Sequence, residues 1–304
     1  MNGAANIPFQ TVVRALLNYD ASNSSHVVIL TLRLPRIVLS ILVGTSFAVA
    51  GAIMQGITQN PLADSGLMGL NSGAGFALSI CFAFFPGMGY IQLIFWSFVG
   101  SAVSSILVNG IALSHRGGIT PMRMVLAGAA VNALLTSLSQ GIALYFHVSQ
   151  DIMFWTVGGV AGSDWEQVRI MIPITLFAVS CAVIFSSSVS VLSMGDEVAK
   201  GLGLNVRRTR LICSILVLIL AGSSVAVVGA VGFIGLIVPH VARYVVGADY
   251  RYIIPFSAIL GANVFLLADF AARMINPPFE TPVGSVIALI GVPFFLYLAK
   301  KGGS

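Results

Sequence analysis

Residues 211–231 carry no charged side chain, and eight other stretches read almost as apolar: 37–56, 67–86, 90–113, 122–146, 168–192, 233–247, 252–273 and 281–299. A helix needs about 20 mostly apolar residues to cross roughly 30 Å of hydrocarbon, so the pattern predicts nine spans. The stretch 233–247 is short and follows its predecessor closely. Gly229, Gly232 and Gly235 at that junction predict two helices with a tight break between them. Only 8% of residues are charged and 57% are hydrophobic, whereas a soluble domain carries about 25% charged residues. So few charges cannot build a solvated surface, and lipid is the expected surrounding. The fold class expected is therefore all-α, a polytopic transmembrane helical bundle forming one domain over residues 1–304.

The formal net charge of +5 is no nucleic-acid footprint, because the lysines and arginines sit in loops between apolar runs. They set orientation instead. Nine alternating spans put Arg116, Arg123, Lys200, Arg207, Arg208, Arg210, Arg243, Arg251, Lys300 and Lys301 on one side, and Arg14, Arg33, Arg36, Arg169 and Arg273 on the other. The side with ten basic residues is cytoplasmic by the positive-inside rule, which places the C-terminus inside the cell membrane. Met1–Gln10 has neither the basic start nor the apolar stretch of a secretory peptide. Ile7–Leu17 is amphipathic and Asp20–Ser25 is a polar turn. Neither can span, so residues 1–36 are expected as an extracellular or interfacial segment.

Within the spans, Gly44, Ala48, Gly51 and Ala52 form one small-residue stripe, and Gly69 and Gly73 another close-approach pair. Such residues let helix backbones touch where lipid is as apolar as leucine. Asn132, Thr136, Ser139 and Gln140 fall at i, i+4, i+7 and i+8 on one helical face. Polar groups at membrane depth must face protein or water, so this face either lines a pathway or bonds a neighbouring helix. Cys81, Cys181 and Cys213 lie in apolar runs without metal-ligand spacing, and no metal site or cofactor is expected. His240 reads as a packing residue, and Asp269 and Arg273 as an i, i+4 pair.

Three segments carry more than composition. The first is Arg33-Leu-Pro-Arg36, followed by Met54-Gln-Gly-Ile-Thr-Gln-Asn-Pro-Leu-Ala-Asp64 and Gly69-Leu-Asn-Ser-Gly-Ala-Gly75. The second is Gly195-Asp-Glu-Val-Ala-Lys-Gly-Leu-Gly-Leu-Asn205, with acidic residues suited to a helix N-terminus and Gly201 or Gly203 to its end. A short surface helix with a sharp turn is expected there. The third is Gly232-Phe-Ile-Gly-Leu-Ile-Val-Pro-His-Val-Ala-Arg243, then Ala268-Asp-Phe-Ala-Ala-Arg273.

In this order and spacing, the motifs resemble the permease family of ATP-binding-cassette importers that take up ferric siderophores, haem and cobalamin. The resemblance implies a type II importer permease with ten spans, one more than this chain shows, so the family's first helix is expected to be missing. It implies that 193–210 is a cytoplasmic coupling segment, with Asp196, Glu197, Ala199, Gly201 and Gly203 meeting an ATPase groove. It implies that Arg33, Arg36 and Arg273 dock an extracytoplasmic substrate-binding protein, and that the helix holding Asn132, Thr136, Ser139 and Gln140 lines the channel. The partners implied are a second permease subunit, in a homo- or heterodimer, and separate ATP-binding subunits. No GxxxxGK[ST] stretch occurs and no catalytic site is expected, so the chain is read as a transport subunit for iron–siderophore, with haem or cobalamin as alternative cargo. An ion-coupled secondary transporter would carry ionisable groups at membrane depth, and here Asp and Glu are read at loops and span ends. A membrane-embedded enzyme would need a polar cluster at one depth, and the four histidines are scattered.

Overall fold

The computed structural model describes residues 7–113, 121–157, 159–276 and 279–301, and helices are the regular elements throughout. Six are long and apolar enough to cross a membrane: α2 (Ser24–Thr58), α4 (Tyr90–Leu113), α5 (Pro121–Tyr145), α7 (Trp165–Ile184), α10 (Val206–Val228) and α12 (Tyr250–Ile275). Three apolar helices are shorter: α3 (Leu70–Phe84), α11 (Ile234–Val246) and α13 (Val283–Lys301), the last apolar over Val283–Leu298. The nine expected spans thus correspond to six long apolar helices and three shorter ones among the described residues. At 1.5 Å per residue, α3 and α11 reach only about 22 and 20 Å. Small helices complete the set: α1 (Phe9–Leu17), α6 (Ser149–Val157), α8 (Ser186–Ser193) and α9 (Asp196–Gly201).

The first span begins earlier than its apolar run suggests. Asn23 caps α2 by accepting the Ser25 amide at 3.0 Å, and the helix runs on through Arg36. The last third of residues 1–36 is thus helical and continuous with α2. Pro35 looks like a boundary, since it lacks an amide proton and crowds the carbonyl four residues back. A π-turn over Ile29–Arg33 widens the helix just before it and lets the helix pass.

From there α2 runs through the middle of the bundle, packed by α7, α8, α10, α11 and α12. Its small-residue stripe makes this possible. A Cβ added at Gly51 would collide with the backbone of Gly235 on α11, and one at Gly44 with Gly261 on α12. α10 and α11 are separated at 229–233, as the glycines imply, but the sharpest backbone feature there is not a glycine. Phe233 adopts a left-handed conformation (φ 68°) just before α11, with its ring over Gly291 of α13.

After Thr58 the chain turns back into the bundle. The carbonyl of Leu67 abuts Gly128 of α5, and a Cβ on Gly235 would meet the Asp64 carboxylate. Gly235 faces Gly51, seven residues before the end of α2, so Asp64 lies roughly 10 Å inside that end. Asp64 accepts the Ser65 amide at 2.6 Å and the backbone N–H of Phe233. One carboxylate thereby caps the turn leading to α3 and the start of α11. The reading of all acidic residues at loops and span ends is corrected here: Asp64 and the fully buried Asp269 both lie inside the bundle.

Candidate functional site

At one end of the bundle, the segment 193–210 forms a compact device around α9. Asp196 and Glu197 open the helix, whose N-terminal partial charge favours them. It ends in a Schellman motif: Leu204 N–H reaches Ala199 O and Gly203 N–H reaches Lys200 O, both at 2.9 Å. Gly203 holds the left-handed position (φ 81°) this motif requires. Ala199 is buried, while Glu197, Val198, Lys200, Gly201 and Leu202 face outward. Of the two glycines at the end of α9, Gly201 is not the one that makes the turn. Its φ is ordinary and a Cβ there meets open space within this subunit.

What fixes α9 is Arg210, which sequence reading treated as one more orienting charge. Its guanidinium clamps Asp196 through two bonds of 2.9 and 2.6 Å, and its Nε donates to Ile57 O at 3.2 Å. Arg210 is 1% exposed, so this fork holds the surface helix to the end of α2 from inside the protein. Gln59 adds bonds to Asp196 Oδ1 (3.0 Å) and Leu192 O (3.1 Å). A signal for Arg210 existed: Val206, Thr209, Arg210, Cys213, Ser214 and Val217 are all buried along one helical face.

At the opposite end, the structure brings together the three arginines read as docking residues. Arg36 forks onto Asp269 with bonds of 2.7, 3.0 and 3.2 Å and reaches Glu280 at 2.7 Å. Arg273 pairs with Asp269 at 3.3 Å, as its spacing suggests, and Arg33 lies close enough to act on Arg273 electrostatically. Arg36 is therefore buried in an internal ion cluster rather than standing at a rim. The reason is the early start of α2, which carries Arg36 well inside the helix. Beside the cluster an open cavity of about 920 Å³ is lined by Arg36, Tyr90, Asp151, Phe154, Asp164 and Glu280.

The polar face of α5 splits. Asn132 donates to Gly66 O (3.2 Å) and accepts from Ser72 (2.6 Å), and Ser139 donates to Gly75 O (3.2 Å), so these two bind the α3 region. Thr136 and Gln140 stay exposed on this subunit. His240 makes edge contacts with Tyr244 and Phe294, and its ring nitrogens find no hydrogen-bond partner among the described residues.

A bundle of long apolar helices with a stapled surface helix at one end and an ion cluster at the other marks a multi-pass membrane protein. Residues 1–301 match the FecCD transport family, and the chain belongs to it. It is 49% identical over 299 residues to the iron(3+)-hydroxamate import system permease protein FhuB of Bacillus subtilis (strain 168), covering 98% of this chain and 78% of that protein. It is 44% identical over 300 residues to the Fe(3+)-citrate import system permease protein YfmD of the same organism, covering 99% and 89%. Among solved structures, an inward-facing metal-chelate type ABC transporter matches with a TM-score of 0.84 at 28% identity, over 96% of each chain. The chain is the permease type of subunit of an ABC importer.

Proposed function

We propose that this permease carries a ferric chelate of the siderophore type across the cell membrane by alternating access. In this reading it works as one of two permease subunits, with ATP hydrolysed on separate cytoplasmic subunits. The Asp196 end and the C-terminus face the cytoplasm, consistent with its excess of lysine and arginine. An extracytoplasmic binding protein delivers cargo to the Arg36 end, where Arg33, Arg36 and Arg273 converge. Thr136 and Gln140, left exposed on α5, face the pathway, while Asn132 and Ser139 hold that helix to its neighbour. The chain itself performs no covalent chemistry.

The observation that carries this reading is α9. Its inward residue is buried and its carboxylate is clamped by a buried arginine, yet Glu197, Val198, Lys200 and Leu202 are turned outward with no side-chain hydrogen bond or ion pair among the described residues. A rigid knob of this kind transmits force from a docked protein.

Uptake of 55Fe-labelled ferric hydroxamate by cells expressing the complete transporter tests the reading, with ferric citrate, haem and cobalamin as competing cargoes. Gly201→Trp and Glu197→Lys are expected to abolish uptake at normal membrane levels, because Gly201 has room within its own subunit and a collision there must come from a partner. Full uptake in both variants would remove α9 from the coupling role. Transport of haem or cobalamin alone would replace the siderophore.

A further inference from the structure

Beside α9, at the inner end of α2, lies a second polar feature that the reading above leaves unused. A pocket of about 210 Å³ is lined by Gln55, Gln59, Asn60, Ser193, Arg243 and Tyr250, among others. Pockets for drug-sized ligands run about 300–1,000 Å³, so this one takes a group of a few heavy atoms.

Its hydrogen bonds show which group. Arg243 donates through Nη2 to Tyr250 Oη at 2.9 Å and, weakly, to Gln55 Oε1 at 3.4 Å. No carboxylate pairs with it among the described residues, in contrast to Arg36, Arg210, Arg251 and Arg273. Because Tyr250 Oη accepts from Arg243, its own proton is left to donate. Asn60 spends its carbonyl oxygen on the Leu62 amide at 2.9 Å, which leaves its NH₂ group available. Gln55 and Gln59 use their NH₂ groups on Gly235 O, Leu236 O, Leu192 O and Asp196. The pocket thus offers a half-buried guanidinium, a phenol proton and an amide NH₂ as donors around a small space, beside the side-chain carbonyls of Gln55 and Gln59. An unpaired cation withdrawn from water is costly until an anion meets it.

We infer that this pocket is an anion socket that receives a carboxylate side chain from the ATP-hydrolysing subunit. The inference rests on the reading of α9 as the helix that meets that subunit. Two observations favour a protein carboxylate over a lipid phosphate. The socket sits at the end of α2, a helix enclosed by five neighbours, rather than on an outer helix of the bundle. Gln59 also links it directly to Asp196 of α9, so one docking event can fill both. A charged contact of this kind fixes register and speeds association, which complements the knob-like α9.

The test measures binding of the cognate ATPase subunit to the detergent-solubilised permease across a range of salt. Arg243→Gln is expected to lower affinity by about tenfold or more and to flatten its salt dependence. Tyr250→Phe, which removes only the phenol proton, should give a smaller loss in the same direction, and Arg243→Lys should recover part of the affinity. Arg251→Gln, at an exposed and already paired arginine nearby, should change neither. Melting curves of the permease alone separate misfolding from lost binding, and Tyr250→Phe keeps the test open if Arg243→Gln unfolds. Unchanged affinity and salt slope in both Arg243→Gln and Tyr250→Phe would overturn the socket. If millimolar inorganic phosphate stabilised the wild-type permease but not Arg243→Gln, with ATPase binding unaffected, the site would belong to a free anion and the partner assignment would fail. A wild-type permease that binds no ATPase subunit would refute the reading of α9 itself.

Discussion

The two ends of the bundle solve the same problem with opposite polarity. At the Arg36 end the deepest charge is an acid: Asp269 is 0% exposed and is bracketed by Arg36 and Arg273, with the half-exposed Glu280 closing the cluster from outside. At the Asp196 end the deepest charge is a base: Arg210 is 1% exposed, and its acid belongs to a surface helix. Removing one partner of a buried pair strands the other, so each deep charge fixes its neighbours in place. What differs is what each end turns outward. The Arg36 end gathers Arg33, Arg36 and Arg273 around Asp269 and Glu280, with Asp151 and Asp164 lining the adjoining cavity. The Asp196 end ties Arg210 to Asp196 and shows a shaped helix, with the half-buried Arg243 in the pocket beside it. In the proposed transport cycle the Arg36 end receives the binding protein and the Asp196 end the ATPase.

The comparison breaks or sharpens at four places. Asp269→Asn should have the largest effect, because Arg36 and Arg273 both lose their shared acid, a cost of about 3–5 kcal/mol. Thermal melting of the purified permease would read this, and a loss well under 1 kcal/mol would mean that the deep acid is not the organising charge. Asp196→Asn comes next, with a cost of about 2–3 kcal/mol, smaller because the Asp196 side chain is 30% exposed and water can partly replace it. Equal losses in the two variants would erase the asymmetry between deep acid and rim acid.

Glu280→Gln should cost less than about 1 kcal/mol, since the side chain is 45% exposed. It removes one of the two carboxylates that compete for Arg36, so affinity for an acidic binding protein should rise. A fall would show that Glu280 itself makes the contact.

The smallest effect belongs to Asp249, between α11 and α12, whose carboxyl Arg251 and Ser190 hold below the usual range. A depressed carboxylate pKa stabilises the fold above the unfolded value of about 3.9 and loses that contribution as pH falls through the folded value. Asp249→Asn should therefore matter only slightly at neutral pH, and its difference from wild type should vanish in acid. Melting at pH 7 and at a series of values descending from pH 4 would show the difference begin to shrink near the unfolded value and continue toward the folded one.

Much of this was legible from residues alone. Apolar runs located every long helix, the glycines at 229–235 marked the break, and the acidic start and glycine-rich end of 195–205 marked α9. Arg36 was not legible in its true setting. Asn23 starts α2 far upstream of the apolar run, and a π-turn disguises Pro35 as an ordinary helical residue. Asp64 was hidden for a similar reason, because a polar turn after a span reads as an external loop until its path back into the bundle is known.

The chain's own sequence determined that it forms membrane-spanning helices and roughly where each one lies. That follows because a helix satisfies its backbone hydrogen bonds within a single segment, and lipid requires nothing else of an apolar run. Only the tertiary structure decided which charges meet. Arg36 and Asp269 are 233 positions apart, and Arg210 finds Asp196 across a turn and a helix end. No local period records such pairings. The first exists because the contact of Gly44 with Gly261 brings α2 against α12 closely enough for Arg36 to reach Asp269.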